Sequence, residues 1–402
     1  MAHSLAPHPS MRLTRRSALL GLTAAVTLGR HAMALGHAQT DRRFVVVILR
    51  GALDGMSAVV PYGDPALATW RADLIPGAVG TEGGMRDLGG FYGLHPALAN
   101  LHDLYKAGEL LPVHAVAGPT RVRSHFEAQD YLEFGVDHQM TSGWLNRVVG
   151  VLPQSQRASQ TALSVGVTVP VLLRGPALVG SFVPKGYGEA SPDLYARIAA
   201  MHAHDPITGP ALAMAMQERH FTDATLMDGD KGRGRNAFQT LCADAGRLLA
   251  AEDGPRLAAL EIGGWDTHTA QKNRLTQPLK QLDEGMAALK AASGAAWGKT
   301  SVLVMTEFGR TVRANGTGGT DHGTGTVAFV LGGAVYGGRV QANWPGLAQG
   351  NLFENRDLQP TADLRSVAKG LLVQQFGLDA AALAKVFPDS RQIAAMPGIL
   401  RA

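Results

Sequence analysis

The chain has 402 residues, 46% hydrophobic and 17% charged, which suits a globular protein with a large core and excludes an intrinsically disordered one. Its formal charge of +4 comes from the first 38 residues, which hold Arg12, Arg15, Arg16 and Arg30 and no acid; taking those four from 37 basic residues leaves 33 against 33 acidic ones. The remaining body is formally neutral and has no basic run of the kind that binds nucleic acid.

The first expected element is an address label. Thr14-Arg15-Arg16-Ser17 is a twin-arginine pattern, followed by an apolar stretch over 18–29. That stretch is shorter than the roughly 20 apolar residues that span a bilayer. Ala32-Met33-Ala34 and Gly36-His37-Ala38 then offer cleavage sites. A signal peptide over 1–38 is expected, read by the twin-arginine (Tat) export machinery. The mature chain, 39–402, would be periplasmic or secreted without stable membrane insertion.

Residues 44–49, all β-branched or large and apolar, predict a central parallel strand covered on both faces. A glycine-flanked loop with Asp54 follows. His95-Pro96 opens a helical pattern through Leu98, Leu101 and Leu104, and His95 is expected to fix that loop. Residues 110–117 predict a second buried strand and 124–134 a helix with Ser124 at its N-cap. From about 150 to 255 the pattern loosens and reads as an insertion or cap, with β-like pieces over 162–183, a helical stretch over 193–227 and a polar loop over 229–235. Cys242, the one cysteine, reads as a small core residue. Strands over 257–262, 301–305 and 326–331 then alternate with helices over 278–292 and 364–376. The alternation predicts an α/β three-layer sandwich with a mostly parallel central sheet.

The chemistry-bearing residues follow the apolar runs, where open α/β sheets present their ligands. Asp54 is a metal ligand or a helix cap. Asp266 and His268, in Gly264-Trp265-Asp266-Thr267-His268, pair a carboxylate with an imidazole as first-row metal sites do. Glu307 leaves a buried strand, where a charge is costly unless paired or metal-bound. Arg310 is its salt-bridge partner or a clamp for an anionic substrate. Asp321 and His322 lie among Gly318, Gly319, Gly323 and Gly325, a glycine density that suggests close backbone approach to a ligand. Ser124 at a helix start is a nucleophile or only a cap, with Arg121 and Arg123 placed to hold a phosphate or sulfate. His125 is a further ligand or a general acid.

Together with Arg50-Gly51-Ala52-Leu53-Asp54-Gly55 and Arg123-Ser124-His125-Phe126-Glu127-Ala128-Gln129-Asp130, these segments resemble a bacterial export family called domain of unknown function 1501, related to alkaline phosphatases and sulfatases. The resemblance implies an alkaline phosphatase/sulfatase-like fold and a two-ion site, with Asp54, Ser124 and Glu307 on one ion and Asp266, His268 and His322 on the other. It further implies Ser124 as nucleophile. The phosphatases carry an Asp-His pair where this chain has Glu307-Phe308, and their counterpart of the Asp266-x-His268 spacing is longer. Either His125 or Asp321 replaces the lost imidazole, or a single ion binds.

The leading expectation is an exported hydrolase of a phosphate or sulfate ester, using one or two divalent ions (Zn, Mg, Mn or Ca) on a small anionic ester or a sulfated or phosphorylated glycan. The alternative is a non-catalytic exported binding protein that keeps the fold. A serine hydrolase pairing Ser124 with His125 is disfavoured, because adjacent helical residues point about 100° apart.

Overall fold

The computed structural model describes residues 40–152, 161–183 and 236–401. The expected signal peptide (1–38) and the stretches 193–227 and 229–235 lie outside the described residues. Eight strands form one sheet: β1 (Arg43–Arg50), β2 (Leu110–Ala117), β3 (Ala162–Val165), β4 (Gly180–Phe182), β5 (Leu257–Gly263), β6 (Thr300–Thr306), β7 (Thr326–Leu331) and β8 (Ala362–Asp363). Their order is β8-β2-β7-β6-β1-β5-β3-β4. All run parallel except β7, which is antiparallel to both of its neighbours.

The layering follows from the period-two alternation of side chains along β1. Val45, Val47 and Leu49 enter one core, shared with Leu101 and Leu104 of α1 (Ala99–Lys106). The same core takes Cys242 and Leu248 of α4 (Ala237–Ala250) and Leu282 and Leu289 of α5 (Thr276–Ser293). Phe44, Val46 and Ile48 enter the opposite core. There they meet Leu132 of α2 (His125–Phe134), Trp144 and Val148 of α3 (Trp144–Val151), Leu371 of α6 (Leu364–Phe376) and Val386 of α7 (Ala380–Val386). A strand buried on both faces needs a continuous apolar run rather than an alternating one, which is what residues 44–49 supply.

The region expected as an insertion or cap is described only in part. Residues 162–165 and 180–182 are strands of the main sheet, the second of them at its edge, and α4 packs against α5 in the same helical layer. Short strands broken by Gly and Pro gave a weak period, although they complete the sheet. Among the described residues no helix is long and apolar enough to cross a membrane.

Candidate metal centre

The sheet register gathers the site. Leu49 lies opposite both Ile262 and Thr306, and Arg50 opposite Gly263, so the loops after β1, β5 and β6 leave one edge side by side. Gly51 adopts a φ of +119°, and a Cβ there would stand 2.8 Å from the Asp266 amide nitrogen. Only glycine lets these two loops touch. Trp265 is fully buried and donates its Nε1–H to the Ile262 carbonyl at 3.0 Å. The indole anchors the loop inward and leaves Asp266 and His268 at its surface.

Three imidazoles converge on Asp266. His125 opens α2, and its Nδ1 donates to the Glu307 carboxylate at 2.8 Å. His268 Nδ1 donates to Asp321 at 3.2 Å, and His322 Nδ1 donates to the Arg123 carbonyl at 2.8 Å. Each of these partners can only accept, so each Nδ1 must carry the proton. In the neutral rings the three Nε2 atoms therefore hold lone pairs. The His268 and His322 Nε2 atoms lie 3.0 Å apart, and they stand 3.0 and 3.4 Å from Asp266 Oδ1. His125 Nε2 is 3.5 Å from Asp266 Oδ2 and, though buried, has no hydrogen-bond partner.

Facing lone pairs at this distance repel unless a proton or a cation lies between them. Metal–ligand bonds of about 2.0–2.1 Å give a tetrahedral ligand–ligand edge of about 3.3 Å, within the observed spread. His125, Asp266 and His322 place one ligand atom each within 4.8 Å of one another, and two imidazoles with a carboxylate fit a borderline first-row ion; His268 Nε2 stands beside them, 3.0 Å from His322 Nε2 and 3.5 Å from the Arg310 guanidinium. Held Nδ1–H groups are also what metal-ligating histidines need from their surroundings.

Arg310 is buried and central. Its guanidinium donates to the carbonyls of Gly51, Ala52, Trp265 and Thr320 and to the Asp266 carboxylate. Burial raises the Asp266 carboxyl, but the bound guanidinium outweighs it and holds the group below its ordinary range. Burial likewise opposes ionisation of Glu307, yet hydrogen bonds from His125 and Gln129 keep its carboxyl low. The Glu307 hydrogen bond in turn holds the His125 imidazole above its usual value, while burial lowers His322.

A family model described as "Protein of unknown function (DUF1501)" matches residues 111–387. The chain belongs to that family. No curated protein matches its sequence. Among solved structures, this family member is similar to an alkaline phosphatase superfamily protein from Vibrio parahaemolyticus, at 12% identity and a TM-score of 0.36 over 90% of this chain and 76% of that one. It is also similar to a putative sulfatase from Bacteroides thetaiotaomicron, at 11% identity and a TM-score of 0.36 over 87% and 75%. A third likeness is to the C-terminal periplasmic domain of EcEptC from Escherichia coli, solved with zinc, at 9% identity and a TM-score of 0.34 over 75% and 76%.

Of the expected ligands in this DUF1501 chain, Asp266, His268 and His322 come together and His125 joins them. Asp54 does not: it is fully buried and bonded to Arg71, Ser57 and Gln271, so its charge already has a partner. Glu307 and Asp321 lie behind the imidazoles, each fixing an Nδ1. Arg310 is neither the partner of Glu307 nor an open anion clamp, since carbonyls and Asp266 take its donors. Arg121 bonds the Gly118 and Thr120 carbonyls and Arg123 bonds Asp357 and Glu354, so neither is free for an ester. Ser124 takes the N-cap position of α2, but its side chain makes no cap bond. Phe308 is buried and packs 5.0 Å from both His125 and His322, an apolar wall where the resemblance places an imidazole. The glycines of the last loop serve contacts between loops: a Cβ on Gly319 would stand 2.2 Å from the His268 carbonyl. The alignment of Gln129, four residues after His125, was available from helical spacing. Gln271 and Asn315, which tie the loops together, gave no such signal.

Proposed function

We propose that the chain is an exported hydrolase of a phosphate or sulfate ester, built on one divalent ion held by His125, Asp266, His268 and His322. The observation that carries this is the convergence of three imidazole Nε2 atoms on one carboxylate, each ring locked at Nδ1. An ion there would supply Lewis-acid polarisation of the ester's non-bridging oxygens.

Ser124 is the nucleophile in this reading. Its hydroxyl makes no cap bond or other hydrogen bond among the described residues and stands at the amino end of α2, where free N–H groups favour developing negative charge. The Oγ attacks phosphorus or sulfur, and the alcohol oxygen leaves with the proton that Oγ surrenders. Water then splits the new Oγ bond, restoring the hydroxyl and releasing phosphate or sulfate. Glu307 and Asp321 keep two imidazoles oriented, and Arg310 keeps Asp266 charged. The twin-arginine pattern of residues 14–17 supports delivery to the periplasm or beyond.

The test is metal analysis of the purified chain after incubation with zinc or manganese, together with turnover of aryl phosphates and aryl sulfates. We expect one ion per chain and loss of turnover in Ser124→Ala. A chain that takes up no ion, or whose turnover is unchanged in Ser124→Ala, removes the mechanism. Phe308, which stands where the resemblance implies an imidazole, and Asp54, already paired with Arg71, favour one other reading. That is a binding protein that holds the ion and an anionic ligand without turnover.

A further inference from the structure

A cavity of about 280 Å³ adjoins the imidazole cluster, with Trp70, Arg313, Asp321, Gln349, Asn355 and Arg356 in its wall. Asp321 belongs to both places, because its carboxylate holds His268 Nδ1. The Arg313 guanidinium lies over the Trp70 ring, 4.5 Å from its centre. Trp70 is itself fixed: its Nε1–H donates to the Leu347 carbonyl at 2.7 Å, and its own carbonyl accepts from Ala314 at 3.1 Å. Among the described residues Arg313 makes no ion pair and its head group no hydrogen bond. A stacked guanidinium has already lost much of its rotamer freedom, so binding an anion costs it little further ordering. Arg356 adds a second positive charge. One of its nitrogens donates to the His322 carbonyl, and its Nε lies 3.7 Å from an Asp357 carboxylate that Arg123 already holds at 2.7 Å. Asp321 also stands in this wall, its Oδ1 accepting from Asn315 Nδ2 at 3.1 Å and from His268 Nδ1 at 3.2 Å. The wall thus carries two guanidiniums and one carboxylate.

We infer that this cavity is a subsite for a second anionic group of the substrate, seated on Arg313 and Arg356, with a neighbouring hydroxyl donating to Asp321. The ligand class is a sugar or polyol that bears a phosphate, sulfate or carboxylate besides the ester presented to the imidazole cluster. The role of that ester rests on the hydrolase reading above, whereas the anion seat does not need the ion.

Two calorimetric titrations of the full chain separate these parts. In the first, chelator-stripped protein is titrated with inorganic sulfate. Wild type binds, and Arg313→Gln and Trp70→Leu bind about ten-fold more weakly or worse, the loss of one charge-assisted pair. Thermal melts of the variants show that they are folded. In the second, zinc-loaded protein is titrated with glucose 1,6-bisphosphate and glucose 6-phosphate. The bisphosphate binds at least about ten-fold tighter, and Arg313→Gln abolishes that advantage. Equal sulfate binding by wild type and Arg313→Gln overturns the subsite. So does a bisphosphate that binds no better than the monophosphate, since the seat would then serve free anions only. Failure to load zinc, with the sulfate result intact, sinks the hydrolase reading and leaves the anion seat standing.

Discussion

Glu307 does its work one bond away from the centre. It was legible in the sequence as a charge leaving a buried strand, but not as the group that aims His125, because the partner lies 182 positions away. A carboxylate that fixes a ligating ring commonly changes ion affinity by roughly 10–100-fold when neutralised. Glu307→Gln should weaken zinc binding by that factor while leaving one ion per chain, as read by competition with a chromophoric chelator; an unchanged affinity would detach Glu307 from the centre. The residues that do the gathering were readable singly, since Asp266, His268 and His322 each follow a strand or a glycine turn. What the sequence could not show was which lone pairs face each other. That depends on the Nδ1 partners, one of which is the backbone carbonyl of Arg123.

At the scale of elements, the loops after β5 and β6 are joined through Gln271. Its Oε1 accepts from Thr267 at 2.8 Å and from Thr320 at 2.6 Å, and its Nε2 donates to Asp54 and Ser57. Asp54 was expected among the ligands and is instead the base of this strut, paired with buried Arg71 at 2.8 Å. Removing one partner of a buried pair costs about 3–5 kcal/mol. Asp54→Ala should therefore lower the urea midpoint sharply, yet the folded variant should still take up one ion. Loss of the ion from folded protein would restore Asp54 to the ligand set. The strand ends themselves were legible because apolar runs announce them. The strut was not, because Arg71 and Gln271 sit in short helices, Leu67–Arg71 and Gln271–Arg274, without a distinctive pattern.

For the molecule as a whole, the two helix-faced cores were readable from β1 alone, whereas the short strands β3 and β4 lacked the length to declare themselves. The same burial sets an acid limit on stability. His114 is fully buried, its Nε2 donating to the Val59 carbonyl at 2.9 Å and its Nδ1 accepting from the Ala115 amide at 2.8 Å. Burial pushes His114 and His95 down to about 4. Their folded values lie below the unfolded value of about 6.5, so the unfolded chain binds more protons between those limits. Stability is intact above that window, falls as pH drops through it and levels off below about 4. Each group should cost about 2 kcal/mol at pH 5, and His114→Phe should shrink the difference between urea denaturations at pH 7 and pH 5 by that amount. A difference as large as wild type's would exonerate the ring. Finally, the donors are held from outside the centre, the three rings at Nδ1 and Asp266 by the Arg310 guanidinium, and those outer bonds oppose the repulsion between the Nε2 lone pairs when no ion is bound. Unlike small zinc domains, whose scaffold melts on chelation, this protein should survive stripping by a chelator with its circular dichroism unchanged and reload afterwards, so that cargo is taken up by a finished body rather than by a folding one.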